Sequence, residues 1–347
     1  MKNRILIAVI AILGILAGYL YLKDKGNRGT IKEERRDFAV EDTASITKIF
    51  LVNKAQKSVT LTRVSKGRWK VNEKYYARRD LINVLLKTIN LLKVKSPVSK
   101  ASRNNVITRL ASGATKVEIY QGADEPAKVY YVGGATQSTM GTYMLIEGSS
   151  EPFITHLPSF FGYLSTRYVT NLDLWRDKTF IDLQFKDIRS VQIEFPGDPT
   201  YSFSIVKKPD WVYELKSLHN DSIIEDYDTI ALRVYLTKFK NIQFEGFANQ
   251  KSQQYVDSIF DANPVHMFTV ENMDGETNYM QAYLKPDEED RLDVNGNPIV
   301  YDVDRLYARI NGGSELVTIQ YFVFGNVIWR LPDFLKGIEK AQESSKI

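Results

Sequence analysis

The feature that most constrains this chain is that it repeats itself. At an offset of 142 residues, Ile46-Thr-Lys-Ile49 falls on Ile188-Arg-Ser-Val191, Val59-Thr-Leu61 on Tyr201-Ser-Phe203, and Trp69 on Trp211, without a gap. At offset 150, Leu86, Ile89 and Leu92 meet Leu236, Phe239 and Ile242. Tyr143-Met-Leu-Ile146 resembles Tyr307-Ala-Arg-Ile310, and His156-Leu-Pro-Ser-Phe160 resembles Arg330-Leu-Pro-Asp-Phe334. The offset drifts from 142 to 174, mainly through extra residues around 285–298, yet the landmarks keep their order. Self-similarity of this length decides the architecture before any motif does. It predicts two tandem copies, residues 46–165 and 188–336, joined by a connector over 166–187 and followed by a polar tail over 337–347.

Each copy reads as strands around one helix. Alternation in Val59-Thr-Leu-Thr-Arg-Val64 is that of a half-buried strand. Tryptophan strands are predicted over 67–71 and 210–213, with Trp69 and Trp211 packed in the core rather than lining a glycan-binding face with Trp175 and Trp329. A helix is predicted over 79–92, with Leu81, Leu85, Ile89 and Leu92 on one stripe. Asp80 and Asp228 stand where an acidic first-turn residue favours the helix dipole. Further strands are predicted at 116–120, 127–132 and 141–146, and at 265–271, 279–285, 306–311 and 316–323. One strong helix per copy is too few for a doubly wound α/β sheet, so the expected class is α+β with antiparallel sheets.

Ahead of the repeats, residues 5–22 read ILIAVIAILGILAGYLYL, eighteen residues without a charge. A helix of that length spans roughly 27 Å, close to the hydrocarbon thickness of a bilayer. Lys2 and Arg4 precede it and assign residues 1–4 to the cytoplasm; residues 23–45 form the linker on the far side. A cleaved signal peptide wants a small-x-small site, and cleavage after Ala17 or Gly18 puts Ile15 or Leu16 at the minus-three position. The expectation is a single-pass anchor in the inner membrane with the bulk of the chain in the periplasm. Ala11, Gly14 and Gly18 share one face of that helix, and Gly14-x-x-x-Gly18 is a spacing that lets membrane helices approach closely.

Taken in order, an anchor, Ile46-x-x-Ile49 opening a strand, Trp69 after a basic turn, a Leu-rich helix, Tyr143 and the stretch 153–157 resemble domain-of-unknown-function family 4340 over residues 1–215. The family's Gly-Leu-x-x-Pro stretch corresponds to Arg109-Leu-Ala-Ser-Gly113, which lacks the proline. Such proteins commonly occur beside gliding-motility-type ABC transporter components. The resemblance therefore implies a non-enzymatic accessory or scaffold subunit of an ABC transporter complex, with a permease-like integral membrane protein as partner. The alternative is an envelope polysaccharide- or lipid-binding module using a cleft between the two repeats.

Charge adds a direction. Residues 30–175 sum to +9 and residues 176–347 to −9. Between Lys54 and Arg109 stand fifteen basic residues against only Glu73 and Asp80. Lys66, Arg68, Lys70, Arg78 and Arg79 are the candidate docking surface for an acidic protein face or anionic lipid. Trp69, Tyr75 and Tyr76 lie in the same stretch, but no nucleic-acid recognition fingerprint accompanies them and no nucleic-acid partner is expected.

The chain has no cysteine and three histidines, His156, His219 and His266, which excludes disulfides and thiolate chemistry. It holds no G-x-S-x-G, Walker, G-x-G-x-x-G or H-E-x-x-H motif. No catalytic residue, metal or cofactor is assigned. The acidic run from Asp287 to Asp304 invites calcium through Asp293, Asn295 and Asn297, but Pro298 stands where a calcium loop needs glycine, and Val294-Asn-Gly-Asn297 reads as a hairpin turn. Finally, Thr43, Ser222, Thr229 and Ser258 each follow Asp and precede a small or aliphatic residue, resembling an acceptor of bacterial envelope O-glycosylation; helix capping by Asp228 is the competing reading.

Overall fold

A computed structural model describes residues 36–336. The apolar run with Ala11, Gly14 and Gly18, and the tail over 337–347, lie outside the described residues. No helix among the described residues is long and apolar enough to cross a membrane. The chain divides between Asp177 and Lys178 into two compact units.

Unit 1 contains β1 (Lys48–Val52), β2 (Ser58–Ser65), β3 (Arg68–Val71), β4 (Tyr75–Tyr76), α1 (Arg79–Leu91), β5 (Lys93–Pro97), α2 (Lys100–Gly113), β6 (Thr115–Tyr120), β7 (Lys128–Ala135), β8 (Thr142–Ile146), β9 (Phe153–His156) and a single helical turn, α3 (Leu172–Trp175). Nine strands form one antiparallel sheet in the order β4-β3-β2-β1-β6-β7-β8-β9-β5. Every second side chain of β1 to β3 points to one face, so Ile49, Leu51, Val59, Leu61, Trp69 and Val71 are buried against Ile82, Leu85 and Ile89 of α1. Burying each large aliphatic side chain contributes about 1.5–3 kcal/mol, which is why this face and not helix propensity holds α1 in place. The second helix, α2, covers the opposite face at β7 to β9, where Val106 and Leu110 meet Tyr131, Tyr143, Leu145 and Ile154.

Unit 2 contains β10 (Thr179–Ile181), β11 (Ile188–Glu194), β12 (Phe203–Lys207), β13 (Tyr213–Ser217), β14 (Ile223–Ile224), α4 (Thr229–Leu236), β15 (Ile242–Gln243), β16 (Gly246–Phe247), α5 (Gln253–Phe260), β17 (His266–Asn272), β18 (Thr277–Pro286), β19 (Tyr301–Ile310), β20 (Leu316–Gln320) and the one-turn α6 (Tyr321–Phe324). Its nine-stranded sheet runs β14-β13-β12-β11-β17-β18-β19-β20-β16, and β10 pairs separately with β15. That is the unit 1 order, strand for strand. The buried positions agree as well: Val191, Ile193, Ile205 and Leu215 occupy the places of Ile49, Leu51, Leu61 and Val71. Tyr143 to Ile146 and Tyr307 to Ile310 hold matching registers against their neighbours.

The α+β class with antiparallel sheets is what the sequence predicts. Two details differ. Among the described residues each unit carries two multi-turn helices, not one. Over fourteen residues α2 buries only Val106 and Leu110, and α5 buries only Val256, so neither shows a full apolar stripe. The second difference is Trp211. It lies in a turn with positive φ at Asp210 and Trp211, 48% exposed, its ring stacked on Phe185. The cause lies one connection earlier. Leu51 pairs with Val59 in β1–β2, whereas Ile193 pairs with Phe203 in β11–β12, a connection longer by two residues. Through β2 and β3 the units are therefore offset by 144 rather than 142, so Val59 answers to Phe203 and Trp69 to Tyr213.

Candidate functional site

The face of unit 1 opposite α1 is only partly covered, because α2 packs over β7 to β9. Across the remaining strands the register aligns one row: Tyr76 beside Lys70, Lys70 beside Thr62, Thr62 beside Lys48 and Lys48 beside Tyr120. Strands are about 4.8 Å apart, so the row runs roughly 19 Å across five strands. Its ends are aromatic and its two lysines are cationic, with Thr62 between them donating to Glu73. The Lys48 Nζ sits 3.7 Å from the Tyr120 ring centre, and the Arg68 guanidinium 4.5 Å from that of Tyr76.

The sequence-predicted basic residues separate into two groups. Lys66, in the β2–β3 turn, and Arg68, Lys70 and Arg79 have no carboxylate within ion-pair distance among the described residues. Arg78 differs: it caps the start of α1 with its backbone and pairs twice with Asp80, at 3.1 and 2.6 Å. That bond is the main reason the Asp80 carboxyl titrates below its ordinary range. Arg63, basic and in the same stretch, is also committed, donating to the carbonyls of Ile46 and Thr43 at 2.7 Å and covering Trp69. Lys48, which the sequence reading did not single out, joins the row only through strand register. Nearby, Glu118 accepts from Tyr120 and from Lys116, and holds the Tyr120 phenol up at about 12.

The corresponding row in unit 2 reads Glu214, Val206, Ser190 and Glu271. Both carboxylates are paired, Glu214 with Lys208 at 3.2 Å and Glu271 with Arg189 at 3.0 Å. At the place of Lys70 unit 2 thus carries the opposite charge, and at the place of Lys48 it carries none.

The chain belongs to the family described as Domain of unknown function (DUF4340), whose model matches residues 69–258. No curated protein and no solved structure matches it. The DUF4340 match begins at Trp69, inside the basic hairpin, and extends through α4 into α5.

The remaining candidates stand apart from the row. Asp293 accepts from the backbone of Asn295 and Asn297 at 2.8 Å and from the Asn297 side chain, closing the turn bridged by Leu292 and Pro298. These contacts lower the Asp293 carboxyl, the bond from the Asn297 backbone most of all. No group of three or more His, Asp or Glu placed to hold a metal occurs among the described residues. Asp228 caps α4, accepting from Ile230 and Ala231 at 2.9 Å, with Thr229 exposed beside it. Ser258 is exposed on α5, Ser222 donates to Asn220, and the Thr43 carbonyl is taken by Arg63. His156 lies opposite Lys93, His219 is exposed in a turn, and His266 is packed 5.1 Å from Phe195. Trp175 is buried and donates to the Val169 carbonyl, and Trp329 packs on Tyr235 and Phe334.

Proposed function

We propose that this DUF4340 protein is a non-enzymatic accessory subunit of an ABC-type membrane complex, held in the inner membrane by residues 5–22 with its two units in the periplasm. The two units are read as copies of one ancestral domain, a reading supported by their common strand order. The observation that carries the functional reading is the set of Lys48, Lys70 and Arg68, cations without an ion-pair partner among the described residues, on a sheet face that no described helix covers in the unit nearest the apolar run in sequence. A solvated cation without a carboxylate loses little on meeting a partner's acidic face and accelerates that encounter. Packing through Gly14 and Gly18 would seat the anchor against a permease helix.

The test is an affinity pull-down of the full chain in mild detergent beside a Gly14→Leu/Gly18→Leu variant. Co-purification of a permease and an ATPase, lost in the variant, is the expected result. Recovery of the protein alone from both contradicts the reading.

A further inference from the structure

Between β9 and the 3₁₀ turn at Ser165–Arg167, residues 158–163 read Pro-Ser-Phe-Phe-Gly-Tyr. Phe161 is 83% exposed, and Phe160 and Tyr163 are also exposed. One ring turned to solvent beside two that remain more than a third exposed makes an apolar patch that calls for an occupant. The backbone of the turn enforces that exposure. Ser159 sits at φ +60° and Gly162 at φ +151°, and a Cβ on Gly162 would lie 3.1 Å from the Phe160 ring. The related turn in unit 2, Leu331-Pro332-Asp333-Phe334, does the opposite and buries Phe334 completely.

The position of the loop indicates what covers it. The Arg167 guanidinium lies 4.3 Å from the Phe160 ring and donates to Thr88 Oγ1 at 2.8 Å, so the loop is tied to the last turn of α1. Residues 40 and 41 are tied to that same turn, the Val40 amide donating to the Ile89 carbonyl and Asn90 to the Glu41 carbonyl at 2.7 Å, whereas Asp37 and Ala39 accept from Lys128 at the start of β7. Val40 and Glu41 thus lie beside the turn that holds the aromatic loop, eighteen and nineteen residues in sequence after the apolar run ends at Leu22. Exposed Lys93 stands directly opposite His156, at the loop's base. Aromatic tips with cations behind them match the headgroup layer of a bilayer, where rings sit at the boundary and Lys or Arg meet phosphate.

We propose that residues 158–163 form a membrane-docking loop, in which Phe161, with Phe160 and Tyr163 beside it, enters the interface of an anionic bilayer while exposed Lys93 faces its phosphates. This rests on the reading of residues 5–22 as an anchor. The docked loop would hold unit 1 in a fixed attitude against the membrane.

The absence of cysteine makes a direct test simple. The full chain carrying Phe161→Cys, labelled with an environment-sensitive fluorophore, is reconstituted in vesicles of phosphatidylethanolamine and phosphatidylglycerol. Some of the lipids carry a nitroxide quencher near the headgroup. A second chain carries the label at Phe322→Cys, 88% exposed in unit 2, and a third at Leu13→Cys. Unchanged melting temperatures check that each labelled chain is folded. The expected result is a blue-shifted emission at 161, quenched several-fold more strongly than at 322. Quenching at 161 no greater than at 322, with Leu13 quenched by deep lipid labels, overturns the loop and leaves the anchor standing. Quenching at neither 161 nor 13 overturns both.

Discussion

Units 1 and 2 share a strand order and differ in what they show to solvent. Inward-facing positions keep their character, with Ile49, Leu61 and Val71 answered by Val191, Ile205 and Leu215. Outward positions change, Lys70 becoming Glu214 and Lys48 becoming Ser190. The lesson is that the inner face sets the topology, because a one-residue slip would turn every buried side chain to water. The outer face is under no such restraint and is free to specialise.

The contrast is sharpest at the two tryptophans. Trp69→Ala removes a 2%-exposed ring from the unit 1 core and is expected to cost about 3–5 kcal/mol. Trp211→Ala, at an exposed turn, is expected to cost under about 1 kcal/mol. Urea unfolding of both variants, with hydrogen exchange to assign the unit affected, checks the pair; equal losses would break the comparison.

The outer helices offer a second way to break it. Gly133 and Tyr283 occupy matching positions under α2 and α5. A Cβ on Gly133 would fall 2.5 Å from Leu110 Cδ2 and 3.0 Å from the Tyr143 carbonyl oxygen, so Gly133→Ala is expected to destabilise unit 1 by about 1–3 kcal/mol. Gly134→Ala has open space around it and serves as the control. The same unfolding assay distinguishes them.

Acid should separate the units too. Burial, and then the charge of Arg330, lower the His266 imidazole from 6.5 to about 4. The folded state therefore refuses a proton that the unfolded chain accepts. The corresponding stability of unit 2 is whole above pH 6.5 and is lost as pH falls toward about 4. The expected loss is about 3 kcal/mol and should vanish in His266→Phe. Unfolding midpoints measured across that pH range decide it; an unchanged slope in the variant would contradict the assignment. Smallest is the cap. Asp228→Ala removes the acceptor of two backbone amides in α4 and is expected to cost about 1 kcal/mol, while Arg78→Ala, whose side chain caps nothing in α1, should cost less. Thermal melts of the two variants rank them.

Much of this fold was legible because strand alternation and the α1 stripe are local patterns. The offset that aligned Ile46–Ile49 with Ile188–Val191 also survived in the strand pairing. It failed at Trp211 because a constant offset cannot register the longer turn before β12. Helix α2 was missed because its apolar side is two residues wide. The basic bias was visible in composition, but the row that organises it was not. Lys48, Thr62 and Lys70 are distant in sequence and become neighbours only through non-local pairing. The exposure of Phe161 likewise depends on the turn around it, since the same Leu-Pro-x-Phe pattern buries Phe334 in unit 2.

In the proposed function the cationic row of unit 1 docks the partner. The most direct measurement gives that row the residues of unit 2: the full chain with Lys48→Ser and Lys70→Glu, purified in mild detergent beside the parent at low and high salt. The parent is expected to retain its membrane partner at low salt and to lose it as salt rises, while the variant, with an unchanged melting temperature, retains none. A folded variant that holds the partner as well as the parent does would contradict it.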